Sequence, residues 1–247
     1  MTHLAQTVDR LRMFAGPNGS GKSTLKGIIP NNLLGYYLNP DDIEKEVKLN
    51  GYYDARNLDL KTSTNEIISF FNNHPLMNRM EEADFTNEIK FIQNEFIDFS
   101  NIGFNSYLSA ILVDFLRNKL IEAHKSFTFE TVMSSPDKLG VLSNALDNGF
   151  RNYLYYVATE DPDINISRIK HRIRVGGHSV PKEKIVERYH RSLDLLLGAI
   201  ILTNRAYIFD NSGESNVWIA EITDGKQIEL KSNRIPLWFK KSVLDKL

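Results

Sequence analysis

The 247-residue chain contains no cysteine, which excludes disulfides, thiolate nucleophiles, iron–sulfur clusters and cysteine-based zinc sites. It also has almost no net charge: 30 Lys and Arg against 31 Asp and Glu leave −1. A protein that holds nucleic acid by bulk phosphate neutralisation needs a basic surplus, so this balance argues against such a partner. No run approaches about 18 uninterrupted apolar residues, and no membrane span is expected. The opening MTHLAQTVDRLRMF lacks a basic stretch followed by an apolar one, so it reads as no signal peptide. What remains is 42% hydrophobic residues, enough for a sizeable core in one large or two small domains. A soluble, cytoplasmic, globular protein is the expectation.

Short runs rich in Phe, Tyr and Val, at 12–15, 36–39, 127–130, 152–159 and 206–210, alternate with helical patterns at 22–29, 106–124, 136–148 and 181–202. Such alternation predicts βαβ units around a mainly parallel sheet. Residues 217–231 read as a hairpin turning at Asp224-Gly225. No internal repeat or low-complexity tract interrupts the pattern. Between Asp41 and Phe104 stand 13 acidic and 6 basic residues, a net of −7, whereas 151–205 carries 10 basic and 6 acidic, a net of +4. In the acidic stretch Phe85, Ile89, Ile92, Phe96 and Phe99 step by 4, 3, 4 and 3, which predicts one helix face packed on the body. The acidic charge itself reads as a solvated outer face.

Gly16-Pro17-Asn18-Gly19-Ser20-Gly21-Lys22-Ser23 matches G-x-x-x-x-G-K-[ST] in full, after a strand-like run and before Thr24 in an opening helix. Gly16, Gly19 and Gly21 permit backbone angles that turn successive N–H groups inward as an anion nest, to which the helix adds its positive end. Lys22 can reach the β- and γ-phosphates, and the Ser23 hydroxyl can hold Mg²⁺. The motif therefore predicts binding of a nucleoside triphosphate. There is no LSGGQ-like string of an ABC ATPase and no N-K-x-D reader of guanine. A basic segment, Asn165 to Pro181, instead fits the lid of a small-molecule kinase, which brings arginines over the transferring phosphoryl group. Arg168 and Arg172 sit four apart, on one helical face. Gly176-Gly177 offers a joint, Ser179 a cap and Pro181 a first-turn residue.

Two acidic positions follow predicted strands: Asp41-Asp42 after 36–39, and Glu130 beside Thr131 at the end of 127–130. In α/β sheets ligands lie beyond the carboxyl ends of strands. One carboxylate there could accept a hydroxyl proton, and another could bind substrate or organise Mg²⁺. Asp42 reads as an acid favoured by a helix N-terminus.

Taken in order, GPNGSGKSTL, NPDDI, FETVMS, SRIKHRIRVGGHSVP and YIFDNS resemble the zeta toxin family of P-loop kinases, in its shorter bacterial branch often described as predicted ABC-type ATPases. The resemblance spans about 12–212. It implies a P-loop kinase-like three-layer α/β/α fold and phosphorylation by ATP of the 3′-hydroxyl of the amino sugar in UDP-N-acetylglucosamine. It also implies a toxin restrained by an antitoxin protein. By position, Lys22 would be the Walker lysine, Asp41 the general base, Glu130 with Thr131 the acidic substrate contact, and Arg168 the first phosphate-stabilising arginine. Where longer members place a second arginine before the segment leading to Pro181, this chain has His178, leaving Arg172 or Arg174 to supply the charge.

The 108 residues from Lys22 to Glu130 (130 − 22) exceed a bare strand–helix–strand connection. They predict a helical insertion around 56–104, too long for a structureless loop and bordering the acceptor site. The expectation is therefore a single kinase domain over 1–247 with a helical insertion and a C-terminal hairpin. Its activity would be ATP- and Mg²⁺-dependent phosphoryl transfer to a small-molecule hydroxyl. The alternatives are a nucleotide hydrolase or switch acting on a protein partner, and a nucleic-acid end kinase favoured only by the local +4 segment.

Overall fold

A computed structural model describes residues 8–80, 84–174 and 180–247. The chain divides into two compact units, one made of 1–34 with 128–247 and the other of Gly35–Phe127. The first opens with β1 (Arg10–Ala15), whose Leu11, Met13, Phe14 and Ala15 are fully buried. A loop leads to α1 (Lys22–Leu25), only four residues long and continued by a 3₁₀ turn over Lys26–Ile28. The helix expected over 22–29 is thus cut short, because Gly27 weakens helical backbone and Pro30 forbids its continuation. A second short helix, α2 (Asn31–Leu34), closes this portion.

The second unit contains β2 (Tyr36–Leu38), α3 (Pro40–Asn50), β3 (Tyr52–Asp54), α4 (Thr64–Asn72), β4 (Lys90–Ile92), β5 (Phe96–Asp98) and α5 (Ser106–Glu122). The insertion expected to be helical around 56–104 contains α4 and short 3₁₀ turns, but it also contributes strand: β3, β5 and β4 form a three-stranded antiparallel sheet in that order. The single helix face expected over Phe85–Phe99 does not exist. Gln93 and Asn94 both take positive φ (54° and 57°) in the three-residue connection 93–95, and the Glu95 N–H closes it by donating to the Ile92 carbonyl (3.0 Å). This turn makes Ile92 and Phe96 cross-strand partners. A tight hairpin thereby places apolar partners four residues apart and imitates the i, i+4 step of a helix. The stretch is nevertheless folded around its own core. Phe71 packs on Phe99 and Phe99 on Phe104, with ring centroids 5.9 and 4.7 Å apart.

The first unit resumes with β6 (Phe127–Thr131), α6 (Asp137–Asp147), β7 (Arg151–Ala158) and α7 (Pro162–Arg174). It continues through α8 (Lys182–Asp194), α9 (Leu196–Ile201), β8 (Arg205–Asp210), β9 (Val217–Thr223), β10 (Gln227–Leu230) and α10 (Leu237–Ser242). The helix expected over 181–202 is two helices that break at Leu195. Within this unit the strands lie in the order β10-β9-β8-β7-β1-β6. Pairing is parallel for β1 with β7 and β7 with β8, and antiparallel through β8, β9 and β10. The expected C-terminal hairpin is present, with Asp224 and Gly225 at φ 48° and 66°. Among the described residues, no helix is long and apolar enough to cross a membrane.

The architecture is a mixed α/β fold on a mainly parallel sheet. Its topology brings the carboxyl ends of β1, β7 and β8 side by side, the end of an α/β sheet at which ligands generally bind.

Candidate functional site

The loop between β1 and α1 is shaped by three glycines with positive φ: Gly16 (144°), Gly19 (76°) and Gly21 (99°). All three are fixed by space as well as by angle. A Cβ on Gly16 would lie 2.0 Å from the Val157 carbonyl oxygen, and one on Gly21 would lie 2.3 Å from Asn211 Nδ2. Lys22 Nζ donates to the carbonyls of Gly16 (2.7 Å) and Pro17 (3.0 Å), so the lysine spans the loop it belongs to. Ser23 and Thr24 are exposed at the start of α1, and the Thr24 hydroxyl donates to the Gly21 carbonyl (2.7 Å). Because α1 is so short, its dipole is small, so an anion at this loop would be held chiefly by the loop amides.

Two elements of the same unit press on this loop. On α7, Asn165 is fully buried, and a Cβ on Gly19 would come within 2.7 Å of its carbonyl oxygen. The Thr159 hydroxyl donates to Asn165 Oδ1 (2.5 Å), which leaves Asn165 Nδ2 buried without a partner. Ile166 and Ile169 pack on Ile185 and hold α7 to α8. The other element is the strap 211–216 between β8 and β9. Asn211 Nδ2 donates to the Ser20 carbonyl (2.8 Å), and Asn216 Nδ2 to the Thr24 hydroxyl (2.6 Å). Arg168 joins the two elements, because its Nη2 donates to the Gly213 carbonyl (3.2 Å) in the middle of the strap.

The strap is itself anchored. The Asn211 N–H donates to the Ala158 carbonyl (2.8 Å). Asp210 Oδ1 accepts from Trp238 Nε1 (2.9 Å) and from the Ser212 hydroxyl (2.8 Å), and the Glu160 N–H donates to Ser212 Oγ (2.7 Å). Nearby, Tyr189 donates to the Thr159 carbonyl (2.6 Å). Burial, with Asp161 and Glu160 adding to it, pushes its phenol far above the ordinary value. Tyr189 is therefore a permanent donor at physiological pH.

The structure thus gathers Gly16 to Thr24 and Arg168 around one strap. Arg172 and Arg174 are exposed farther along α7. His178, with Gly176, Gly177 and Ser179, lies outside the described residues. Glu130 and Thr131 end β6, half-buried, and Thr131 Oγ1 accepts the Met133 N–H (3.0 Å). Asp41 belongs to the second unit, in the first turn of α3 and exposed beside Asp42. Asn39 caps that helix by accepting the Asp41 N–H (2.9 Å), so neither aspartate side chain is needed as the cap. An open cleft of about 530 Å³ in the second unit, lined by Glu66, Ser69, Phe70, Asn73, His74 and Pro75, contains none of the sequence-predicted site residues. Asn165, Asn211, Asn216 and Trp238 escaped sequence reasoning, although Asn211 lies inside the quoted YIFDNS string.

Residues 106–223, just under half of the chain, match the family model described as Zeta toxin. An uncharacterized protein of Haemophilus influenzae is 32% identical over 69 residues, covering 28% of this chain and 49% of that protein. Among solved structures, the AvrRxo1-ORF1:AvrRxo1-ORF2 complex with sulphate ions aligns over 96% of this chain and 65% of its own, with TM-score 0.56 at 12% identity. The same pair has been solved with ATP (TM-score 0.50, 11% identity, 92% of this chain and 61% of that one). The PezAT chromosomal toxin-antitoxin system of Streptococcus pneumoniae aligns over 97% and 80% of the two chains, with TM-score 0.52 at 13% identity. The chain spans about half the length of the curated relative and just under two thirds of the AvrRxo1 chain. Residues 106–223 are thus similar to the zeta toxin family, and the chain shares its fold with these solved structures.

Proposed function

We propose that the protein is an ATP- and Mg²⁺-dependent kinase that phosphorylates a hydroxyl of a small molecule. The candidate acceptor is a nucleotide-activated sugar such as UDP-N-acetylglucosamine, and the chain acts as a zeta-type toxin held by an antitoxin. One observation carries this reading. Seven buried side-chain polar atoms lack a hydrogen-bond partner among the described residues, and five of them belong to Asn18, Ser20, Asn165, Arg168 and Asn216. Native interiors leave few such atoms without a reason. Here they crowd the glycine-rich loop and the two elements touching it, as suits a site organised for a polar ligand. Among the described residues no group of three or more His, Asp or Glu could cage a metal. That fits Mg²⁺, which prefers one or two protein oxygens plus phosphates; Ser23 would supply the protein oxygen, and the ion would neutralise phosphate charge.

In the transfer, the acceptor oxygen bonds to the γ-phosphorus as the bond to the bridging oxygen of ADP breaks. The hydroxyl proton passes to Asp41. Lys22 binds the β- and γ-phosphates, Arg168 stabilises charge on the transferring group, and Arg172 or His178 supplements it. Glu130 and Thr131 hold the acceptor.

The test is to incubate the protein with γ-labelled ATP, Mg²⁺ and a small-metabolite extract and to identify the labelled product. Label recovered only as inorganic phosphate would replace this reading with a hydrolase or switch. Arg168→Ala is expected to lower kcat by about 10²–10³-fold while ATP affinity changes little, since the arginine meets its charge mainly in the transition state. A rise confined to KM for ATP would make Arg168 a ground-state clamp. Substitutions of Lys90 and Asn94, exposed in the second unit, are expected to alter acceptor preference at unchanged ATP affinity; equal effects on every acceptor would make the segment merely structural.

A further inference from the structure

Asn211 lies 191 residues from its hydrogen-bond partner in the P-loop, and no sequence motif assigns it a task. We propose that it is a positioning residue for phosphate binding: its side-chain amide sets the orientation of the Ser20–Gly21 peptide. The inference rests on the nucleotide-binding reading above.

A trans peptide is planar, so its C=O and N–H point in opposite directions. Asn211 Nδ2 holds the Ser20 carbonyl at 2.8 Å. The Gly21 N–H is thereby aimed away from Asn211 and the strap. Without that tether the peptide is free to rotate, since Gly21 has no Cβ to restrict it and already sits at φ 99°. A flipped peptide would present a carbonyl oxygen to the phosphates in place of a donor. The position of the amide also explains the glycine. A Cβ on Gly21 would fall 2.3 Å from Asn211 Nδ2, so the tether and a side chain at position 21 exclude each other.

The tether is rigid enough to act in this way. The Asn211 N–H is bonded to Ala158. On one side Asp210 is fixed by Trp238, and on the other Ser212 is fixed by Glu160. Asn148, whose side-chain amide makes the same kind of bond to the Asn144 carbonyl (2.8 Å) at the exposed end of α6, away from the loop and its strap, serves as the control.

The experiment measures calorimetric binding of Mg·ATP and of inorganic tripolyphosphate, with melting temperature, for wild type, Asn211→Ala, Asn211→Leu and Asn148→Ala. Both Asn211 variants are expected to lose about tenfold in affinity for both ligands, and equally for each, because the defect lies at the phosphates. Asn148→Ala is expected to bind tripolyphosphate as wild type does. The leucine variant retains bulk where alanine loosens the strap, so a fall in melting temperature for alanine alone leaves the comparison intact. Unchanged affinity in a folded Asn211 variant overturns the assignment, as does a loss for ATP with tripolyphosphate unaffected. A wild-type chain that binds neither ligand overturns the nucleotide reading itself, and that outcome is distinct from either variant result.

Discussion

Replacing Lys22 with alanine is expected to abolish ATP turnover while the protein stays folded. The ammonium donates to two carbonyls of its own loop, Gly16 and Pro17, so its removal costs on the order of 1–3 kcal/mol of local order. That is small beside the usual stability of a domain, about 5–15 kcal/mol. The functional loss is larger, because no other cation of the loop can follow the β- and γ-phosphates through transfer. An interaction made chiefly with developing charge in a water-poor site is worth several kcal/mol, or about 10²–10³-fold per donor. The measurement pairs ATP turnover with thermal melting. Near-normal turnover in a folded Lys22→Ala protein would remove the nucleotide reading altogether.

Asp41→Asn is the second large expected effect. A kinase acting on an alcohol must take up the hydroxyl proton as the new bond forms, and general-base help is worth roughly 10²–10⁴-fold. The amide keeps the shape of the carboxylate and cannot accept that proton at neutral pH. ATP binding should be unchanged and acceptor phosphorylation should fall by about that factor. Because Asn39 already caps α3, the only structural role left to the Asp41 charge is its attraction to the helix N-terminus, about 0.3–1 kcal/mol. A small drop in melting temperature with full phosphorylation would therefore assign Asp41 to helix stability alone. Loss of acceptor-independent ATP cleavage would assign it to a hydrolase.

The parts of this protein that were legible in its sequence are those whose physics is local. Met13 to Ala15 lie in a strand because consecutive apolar residues can be buried on both faces of a parallel sheet. The glycine spacing of the loop announces its own backbone angles, and Asp224-Gly225 announces a turn. The misread elements each have a specific cause. The hairpin around Gln93-Asn94 lacks the usual glycine, and its cross-strand partners fall at helical spacing. The helix after Lys22 ends early because Gly27 and Pro30 outweigh the propensity of its first turn. Asn211 and Asn216 were illegible for another reason: an asparagine in a polar loop is the commonest of turn residues. Only the three-dimensional path of the chain turns these two into contacts of a loop that precedes them by almost the whole sequence.

The anchoring of that loop from so late in the chain bears on when the proposed phosphate site could form during synthesis. A ribosome would finish the glycine-rich loop early, yet Asn211 is added 191 residues after Ser20, and Trp238 later still. At typical elongation rates that delay is about 10–40 s. Through this interval the nascent chain would carry Lys22 and Ser23 without the tether that orients Gly21. A fragment released too soon would be a poor phosphate binder. Premature termination would yield a product without the tether, and, on the toxin reading proposed above, translation of the C-terminal segment would set the moment at which restraint by a partner becomes necessary.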